Sequence, residues 1–379
     1  MKGFVFFPLV LVGLLQNVGP ADAQARKSSP ASAARNSSVL AARRAVRKKL
    51  PPVDPTEGDN VDGDDLTIRR AAVAALGGMN GSVVVVDPTN GRVLTMVNQK
   101  LGLRSGFIPC STIKLVTSLA ALNERVVSRD TFIYTSRYAS YNLTTAIARS
   151  NNEYFAILGN RLGFERVTHY AQLLGLGERA GLDVPGEQPG VIPDLPPKAG
   201  GMGMMTAFGE GFLMTPLELA ALLSSIANGG TLYYLQYPRT QAEIDQFTPK
   251  VKRTLELAAN DISDLKEGMR GAVDYGTAKR ANYDPSEPIL GKTGTCTDFR
   301  VASHMGWFGS FNDVGYHKLV VVVMLTAVNK SVNGPVAAGV AGAIYRNLSE
   351  QRYFSAAAAE AKKLGLPDIT TTYPCCSGH

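Results

Sequence analysis

The stretch Cys110-Ser111-Thr112-Ile113-Lys114-Leu115-Val116-Thr117-Ser118-Leu119-Ala120-Ala121-Leu122-Asn123 carries the reading of this chain. Pro109 precedes it, and the spacing predicts a long helix starting at Ser111 and running to about Asn123. Ile113, Leu115, Val116, Leu119, Ala120 and Leu122 surround the helix axis, which predicts burial on nearly all sides. Ser111 and Lys114 lie three apart and share a helix face. A serine hydroxyl needs a base to become a nucleophile, and a lysine serves if burial lowers its pKa. The apolar helix supplies that burial, and Ser111 at a helix start offers its own N–H to an oxyanion. Alone, the string reads more readily as an ordinary helix cap beside a solvated lysine, and it is the companion strings that favour the catalytic reading.

Two further strings follow in order. Ser150-Asn151-Asn152 comes after Ala146–Arg149, where a helix-capping turn is the plain reading. Lys292-Thr293-Gly294-Thr295 ends the run Pro288-Ile289-Leu290-Gly291, which reads as a strand edge. The rest of the chain frames them. A helix is expected at Leu66–Leu76, stopped by Gly77-Gly78. A hairpin follows, Ser82–Asp87 and Arg92–Asn98 about the turn Pro88-Thr89-Asn90-Gly91. Residues 130–280 read mainly as helices. One starts at Thr215-Pro216-Leu217-Glu218, which has a capping Thr, Pro at the first helical position and Glu at the third, and another spans Asn260 to Val273. Strands return at Ile289–Cys296, His304–Phe311 and Lys318–Val328, before a last helix at Val336 to Leu348. Strands at both ends with helices between predict an α+β domain, an antiparallel sheet flanked by helices plus an all-helical lobe.

The three strings together resemble the S-x-x-K, S-x-N and K-T-G signatures of penicillin-binding proteins and active-site serine β-lactamases. Weaker similarities extend this over roughly residues 80–348, including Gly81–Gly91, Leu182–Gly190 and Gly209-Glu210-Gly211…Thr215-Pro216-Leu217-Glu218-Leu219-Ala220. The resemblance implies a transpeptidase-like architecture with Ser111 as nucleophile and Lys114 as its base. It implies that Ser150 relays protons between Lys114, Lys292 and the leaving group, and that Asn152 binds the substrate amide. Lys292, Thr293 and Thr295 would hold the substrate carboxylate, and Gly294 would allow close approach of the substrate backbone. The N–H groups of Ser111 and Thr295 would form the oxyanion hole. Cys110 and Cys296 flank those two donors, and class A carbapenemases carry a disulfide at this pair of positions. A Cys110–Cys296 bridge is therefore expected, with two small buried thiols as the alternative.

The implied substrates are peptidoglycan stem peptides ending in D-Ala-D-Ala, and β-lactams that mimic them; no cofactor and no metal is implied. The leading activity is that of a D,D-transpeptidase or D,D-carboxypeptidase. A serine β-lactamase is the alternative, with Glu187 the only tempting deacylating carboxylate, although Glu187-Gln188-Pro189-Gly190-Val191 lacks the class A pattern E-x-x-L-N. A non-catalytic β-lactam or muropeptide sensor is the third reading. Residues 26–75 are too few for the pedestal of typical high-molecular-mass members. His169, His304 and His317 show no metal spacing, and Cys375-Cys376 with His379 reads as a frayed tail, with metal chelation as the alternative.

Composition sets the remaining bounds. The chain has 379 residues, 45% of them hydrophobic, enough for a substantial core. Lys2, the apolar run Phe4 to Leu15, and the A-x-A sites at 21–25 read as a signal peptide over 1–25. The run falls short of the roughly 20 residues of a membrane span, and an uncleaved anchor to the membrane or envelope is the alternative. Export to the periplasm or cell envelope permits disulfides. The net charge of +7 is uneven: residues 26–50 hold eight Lys/Arg and no acid, and residues 51–65 hold six Asp/Glu and no Lys/Arg. Residues 26–65 are expected to be a disordered tether, 66–355 the catalytic domain and 356–379 a tail. An exported chain with this local charge pattern is not expected to bind nucleic acid.

Overall fold

The computed structural model describes residues 54–281, 288–300, 302–313, 317–329, 331–355 and 363. The expected signal peptide, most of the expected tether and the Cys375-Cys376 tail lie outside the described residues. The principal elements are α1 (Leu66–Leu76), β1 (Gly81–Asp87), β2 (Arg92–Val97), α2 (Lys114–Asn123), β3 (Ile133–Ser136), β4 (Ala139–Tyr141), α3 (Leu143–Arg149), α4 (Asn152–Leu162), α5 (Phe164–Leu173) and α6 (Gly201–Phe208). They continue with α7 (Pro216–Ala227), β5 (Thr231–Tyr233), β6 (Val251–Thr254), α8 (Ala259–Asp274), β7 (Ile289–Asp298), β8 (Ser303–Asn312), β9 (Val320–Ala327) and α9 (Gly334–Glu350). This is the α+β architecture expected from the sequence.

The sheet has the order β2-β1-β9-β8-β7, with antiparallel pairing throughout. Its two valine-rich strands lie side by side in the middle, Val83 opposite Val323 and Val85 opposite Val321. Strand alternation then divides them between two cores. Val84, Val86, Val320, Val322 and Met324 face the helical lobe, with Leu115, Leu119 and Leu223. Val83, Val85, Val321, Val323 and Leu325 face the outer layer, with Ile68, Leu76, Ile344 and Leu348. A run of valines with no polar alternation is what a strand covered on both faces requires.

Strand β7, which carries Lys292-Thr293-Gly294-Thr295, is at the sheet edge, paired on one side with β8. The helix start at Thr215 forms as expected: Thr215 Oγ1 accepts from Glu218 N at 3.0 Å, and Thr215 N donates to Glu218 Oε2 at 2.7 Å.

Two expectations need correction. The tether ends earlier than residue 65, because residues 54–65 pack on the domain. Arg69, only 8% exposed in its side chain, pairs with Asp59 at 2.8 Å and Asp64 at 3.0 Å. Asp64 also accepts from Thr95 Oγ1 at 2.7 Å, and Asp59 from the backbone of Asn98 and Gln99. A buried guanidinium needs such partners, so acids that look like solvated charge in the sequence are part of the core's edge. The second correction concerns the start of the Ser111 helix. Cys110–Ile113 is a 3₁₀ turn and the α-helix begins at Lys114. The carbonyl of Pro109 accepts from both Thr112 N (3.2 Å) and Thr112 Oγ1 (2.6 Å), which tightens the first turn to three-residue spacing.

Candidate active site

Three separate pieces of chain meet at the end of α2. The first is the 3₁₀ turn carrying Ser111, which is partly exposed beside fully buried Cys110 and Thr112. The Ser111 hydroxyl reaches the Ala207 carbonyl at a long 3.5 Å. Lys114, one turn on, is completely buried.

The second piece is the Ser150-Asn151-Asn152 turn, where the capping reading holds on Asn151. Ser150 ends α3 in the left-handed conformation, φ 54°. Asn151 caps α4, its Oδ1 accepting from Tyr154 N at 2.7 Å. That leaves Ser150 and Asn152 to face Lys114. Lys114 Nζ donates to Ser150 O at 2.8 Å, to Ser150 Oγ at 3.1 Å and to Asn152 Oδ1 at 2.6 Å.

The third piece is β7. Lys292, also fully buried, donates from Nζ to Ser150 Oγ at 2.8 Å and to the Thr293 carbonyl at 3.0 Å. The Ser150 hydroxyl is thus the bridge between two lysines. Burial pulls the Lys114 amine well below the ordinary lysine range, helped by the neighbouring Lys292 charge and opposed by Glu153. Burial alone brings Lys292 down to about 7. Two ammonium groups around one buried hydroxyl repel each other, so near neutral pH the pair holds fewer than two protons and contains a usable base.

Cys110 and Cys296 are joined in a disulfide with their Cα atoms 5.5 Å apart. The bridge ties the Ser111 turn to β7 and sets Ser111 beside Thr295. Gly294 has a packing reason as well as the expected one. A Cβ there would stand 3.0 Å from the Pro109 carbonyl, 3.1 Å from Trp307 Cβ and 3.3 Å from Cys110 Cβ. The Trp307 indole N–H donates to Ile108 O at 3.1 Å and anchors the same turn.

Sequence reasoning missed two supports. Thr277 Oγ1 shares a hydrogen bond of 2.6 Å with Thr293 Oγ1, and Thr295 Oγ1 accepts from Gly334 N at 2.8 Å. Asn333-Gly334-Pro335 is a readable helix start, but no spacing announces that it lands on Thr295. Thr277 carries no local signal at all. Glu187 is buried away from this chemistry in a loop it holds together, its carboxylate accepting from Ala180 N at 2.8 Å and Gly181 N at 3.0 and 3.1 Å. His304 Nδ1 is 2.9 Å from Thr297 Oγ1. Among the described residues no group of His, Cys, Asp and Glu is arranged to hold a metal ion.

A buried lysine held near neutrality also carries a stability signature. The Lys292 pKa of about 7 in the folded state is below the unfolded value of about 10.4, so the unfolded chain binds the extra proton between these limits. The resulting destabilisation is fully present below about 7 and disappears as pH rises through the unfolded value. Lys292→Met is expected to raise unfolding free energy at pH 7 by about 1–2 kcal/mol, with the difference shrinking towards pH 10.5. Chemical denaturation at both pH values checks this, and a destabilised variant at pH 7 would contradict it.

The 3₁₀ turn carrying Ser111, two buried lysines joined through the Ser150 hydroxyl and the edge strand β7 thus come together at one place in the fold. Residues 81–346 match the family model described as the penicillin binding protein transpeptidase domain, and the chain belongs to that family. Among curated proteins it is 28% identical over 313 residues to stage V sporulation protein D of Bacillus subtilis, covering 70% of this chain and 48% of that protein. It is 24% identical to the peptidoglycan D,D-transpeptidase MrdA of Acinetobacter baumannii, covering 66% of this chain and 46% of the relative. The chain thus spans about half the length of these relatives. Among solved structures, the fold is shared with Pseudomonas aeruginosa PBP2 in complex with WCK 5153, at a TM-score of 0.63 and 22% identity over 77% of this chain and 78% of that one. It is also shared with the D,D-transpeptidase domain of a peptidoglycan glycosyltransferase from Eggerthella lenta, at a TM-score of 0.60 and 21% identity over 75% and 81% of the two chains.

Proposed function

We propose that this chain is a penicillin-binding D,D-acyltransferase of the cell envelope, which takes D-Ala-D-Ala stem peptides as acyl donors. The observation that carries the reading is the Lys114–Ser150–Lys292 relay, one helical turn from Ser111. Neutral Lys114 accepts the Ser111 proton as Oγ attacks the carbonyl of the penultimate D-Ala. The N–H groups of Ser111 and Thr295 hold the oxyanion. The proton passes through Ser150 to the departing D-Ala nitrogen, and the C–N bond breaks to leave a Ser111 ester. An amine (transpeptidation) or water (carboxypeptidation) then attacks the ester. Lys292, Thr293 and Thr295 receive the D-Ala carboxylate, and Asn152 orients the amide. β-Lactams acylate the same serine and persist.

Glu187 has its oxygens engaged by two backbone N–H groups, which favours a transpeptidase over a β-lactamase. Glu187→Gln is expected to leave the penicilloyl-enzyme lifetime unchanged within about twofold, read by mass spectrometry after rapid desalting. A large rise in that lifetime would assign Glu187 to deacylation and favour a β-lactamase.

The pH dependence follows from the lysines. Protonation of both amines removes the base, so the acylation rate should fall as pH drops through the region of Lys292, about 7. Stopped-flow acylation with a chromogenic cephalosporin checks this. An acid limb only in the ordinary carboxylate range, about 4, would point to an Asp or Glu base.

A further inference from the structure

Thr293 and Thr295 stand two apart on β7, so strand alternation sends both side chains to the same face. Each hydroxyl has one partner, and each partner comes from a distant part of the chain. Thr277 Oγ1 lies 2.6 Å from Thr293 Oγ1, and the Gly334 N–H donates to Thr295 Oγ1 at 2.8 Å. Among the described residues neither hydroxyl has a second hydrogen-bond partner. Thr277 is itself fixed. Its N–H donates at 3.1 Å to the carbonyl of Ala148, two residues ahead of Ser150. Gly276 packs on the same carbonyl so closely that a Cβ there would stand 2.1 Å from its oxygen. The hydroxyl that meets Thr293 is therefore anchored on the helix that ends at Ser150, which makes it a preorganised partner.

The direction of the Thr277–Thr293 bond follows from what Thr293 must do. An ionised carboxylate only accepts, and a threonine hydroxyl has one proton to give. If Thr293 gives that proton to Thr277, its lone pairs face the carboxylate and repel it. If Thr277 donates instead, the Thr293 proton is free for the carboxylate, and a hydroxyl that is already accepting is the stronger donor. For Thr295 there is no choice, because a backbone N–H can only donate. We infer that Thr277 is a positioning residue: it donates to Thr293 Oγ1 and turns the Thr293 proton towards the carboxylate of the ligand, as the Gly334 N–H does for Thr295. This assignment rests on the acyl-donor reading above.

The test compares benzylpenicillin with its methyl ester, which keeps the β-lactam ring and loses the anion. Second-order acylation of Ser111 by each is followed by intact-mass analysis, and the carboxylate-to-ester ratio is the reading. Each ratio is taken within one preparation, so the folded fraction cancels. The unmodified protein should prefer the carboxylate. Thr277→Val keeps the branched shape and removes the hydroxyl, and it should lower the ratio about three- to tenfold, the scale of one neutral hydrogen bond. Thr277→Ala, a second way to remove the hydroxyl, should do the same, and Thr277→Ser should keep the ratio within about twofold. A residue that only braced the fold would slow both ligands alike and leave the ratio where it was. An unchanged ratio in Thr277→Val and Thr277→Ala, a fall in Thr277→Ser as large as theirs, or no preference for the carboxylate in the unmodified protein would overturn the positioning role while Ser111 acylation stands. Absence of any penicillin adduct on the unmodified protein would overturn the acyl-donor reading, and the positioning role with it.

Discussion

Lys114→Met is expected to lower the rate of Ser111 acylation by penicillin about 10²–10⁴-fold, the usual loss when a positioned general base is removed. The buried amine has no solvent to exchange protons with, and its three acceptors lie on Ser150 and Asn152. Methionine fills the same volume without a basic nitrogen, so helix α2 and its apolar contacts remain. Ser150 Oγ keeps its bond from Lys292 at 2.8 Å, which limits the structural damage. The unfolding transition should therefore stay cooperative while acylation, followed by stopped-flow, nearly disappears. A change of only a fewfold would place the base elsewhere.

The second large effect belongs to the Cys110–Cys296 bridge. It closes a loop with a sequence separation of 186, for which the chain-entropy model gives about 5 kcal/mol of stabilisation. Cys110→Ala/Cys296→Ala should lose stability on that scale in denaturant titrations run beside the oxidised protein. The same change should slow acylation, because the bridge sets the Ser111 turn against β7 and an oxyanion hole works only when its donors are preorganised. Equal stability of the two forms would mean that the packing of Gly294 and Trp307 on the turn holds the register without the bond.

Much of this was readable from the chain because local signals agreed with tertiary need. Leu66–Leu76 formed where its periodicity and Gly77 put it, and the Thr215 capping box closed as its residues dictate. The valine runs of β1 and β9 formed strands where they were expected, and the fold covers both of their faces. The site was legible as three strings, yet only the fold makes Ser150 a bridge between two lysines 178 positions apart. What the sequence hid was long-range. The acidic segment 54–65 looked solvated because its partner, Arg69, is identified by burial and not by spacing. The 3₁₀ start at Cys110 depends on one carbonyl, that of Pro109, accepting two bonds. Thr277 and Gly334 meet β7 from distant parts of the chain, and a residue with no motif gives no warning of a contact.

The central claim is that Ser111 forms a persistent ester, and intact-mass analysis after brief exposure to benzylpenicillin tests it most directly. The account predicts a single adduct per chain, mapped by digestion to the peptide containing Ser111, absent from Ser111→Ala and still present after prolonged desalting. An undiminished adduct in Ser111→Ala, or penicillin hydrolysed in many turnovers with no adduct retained, would contradict it.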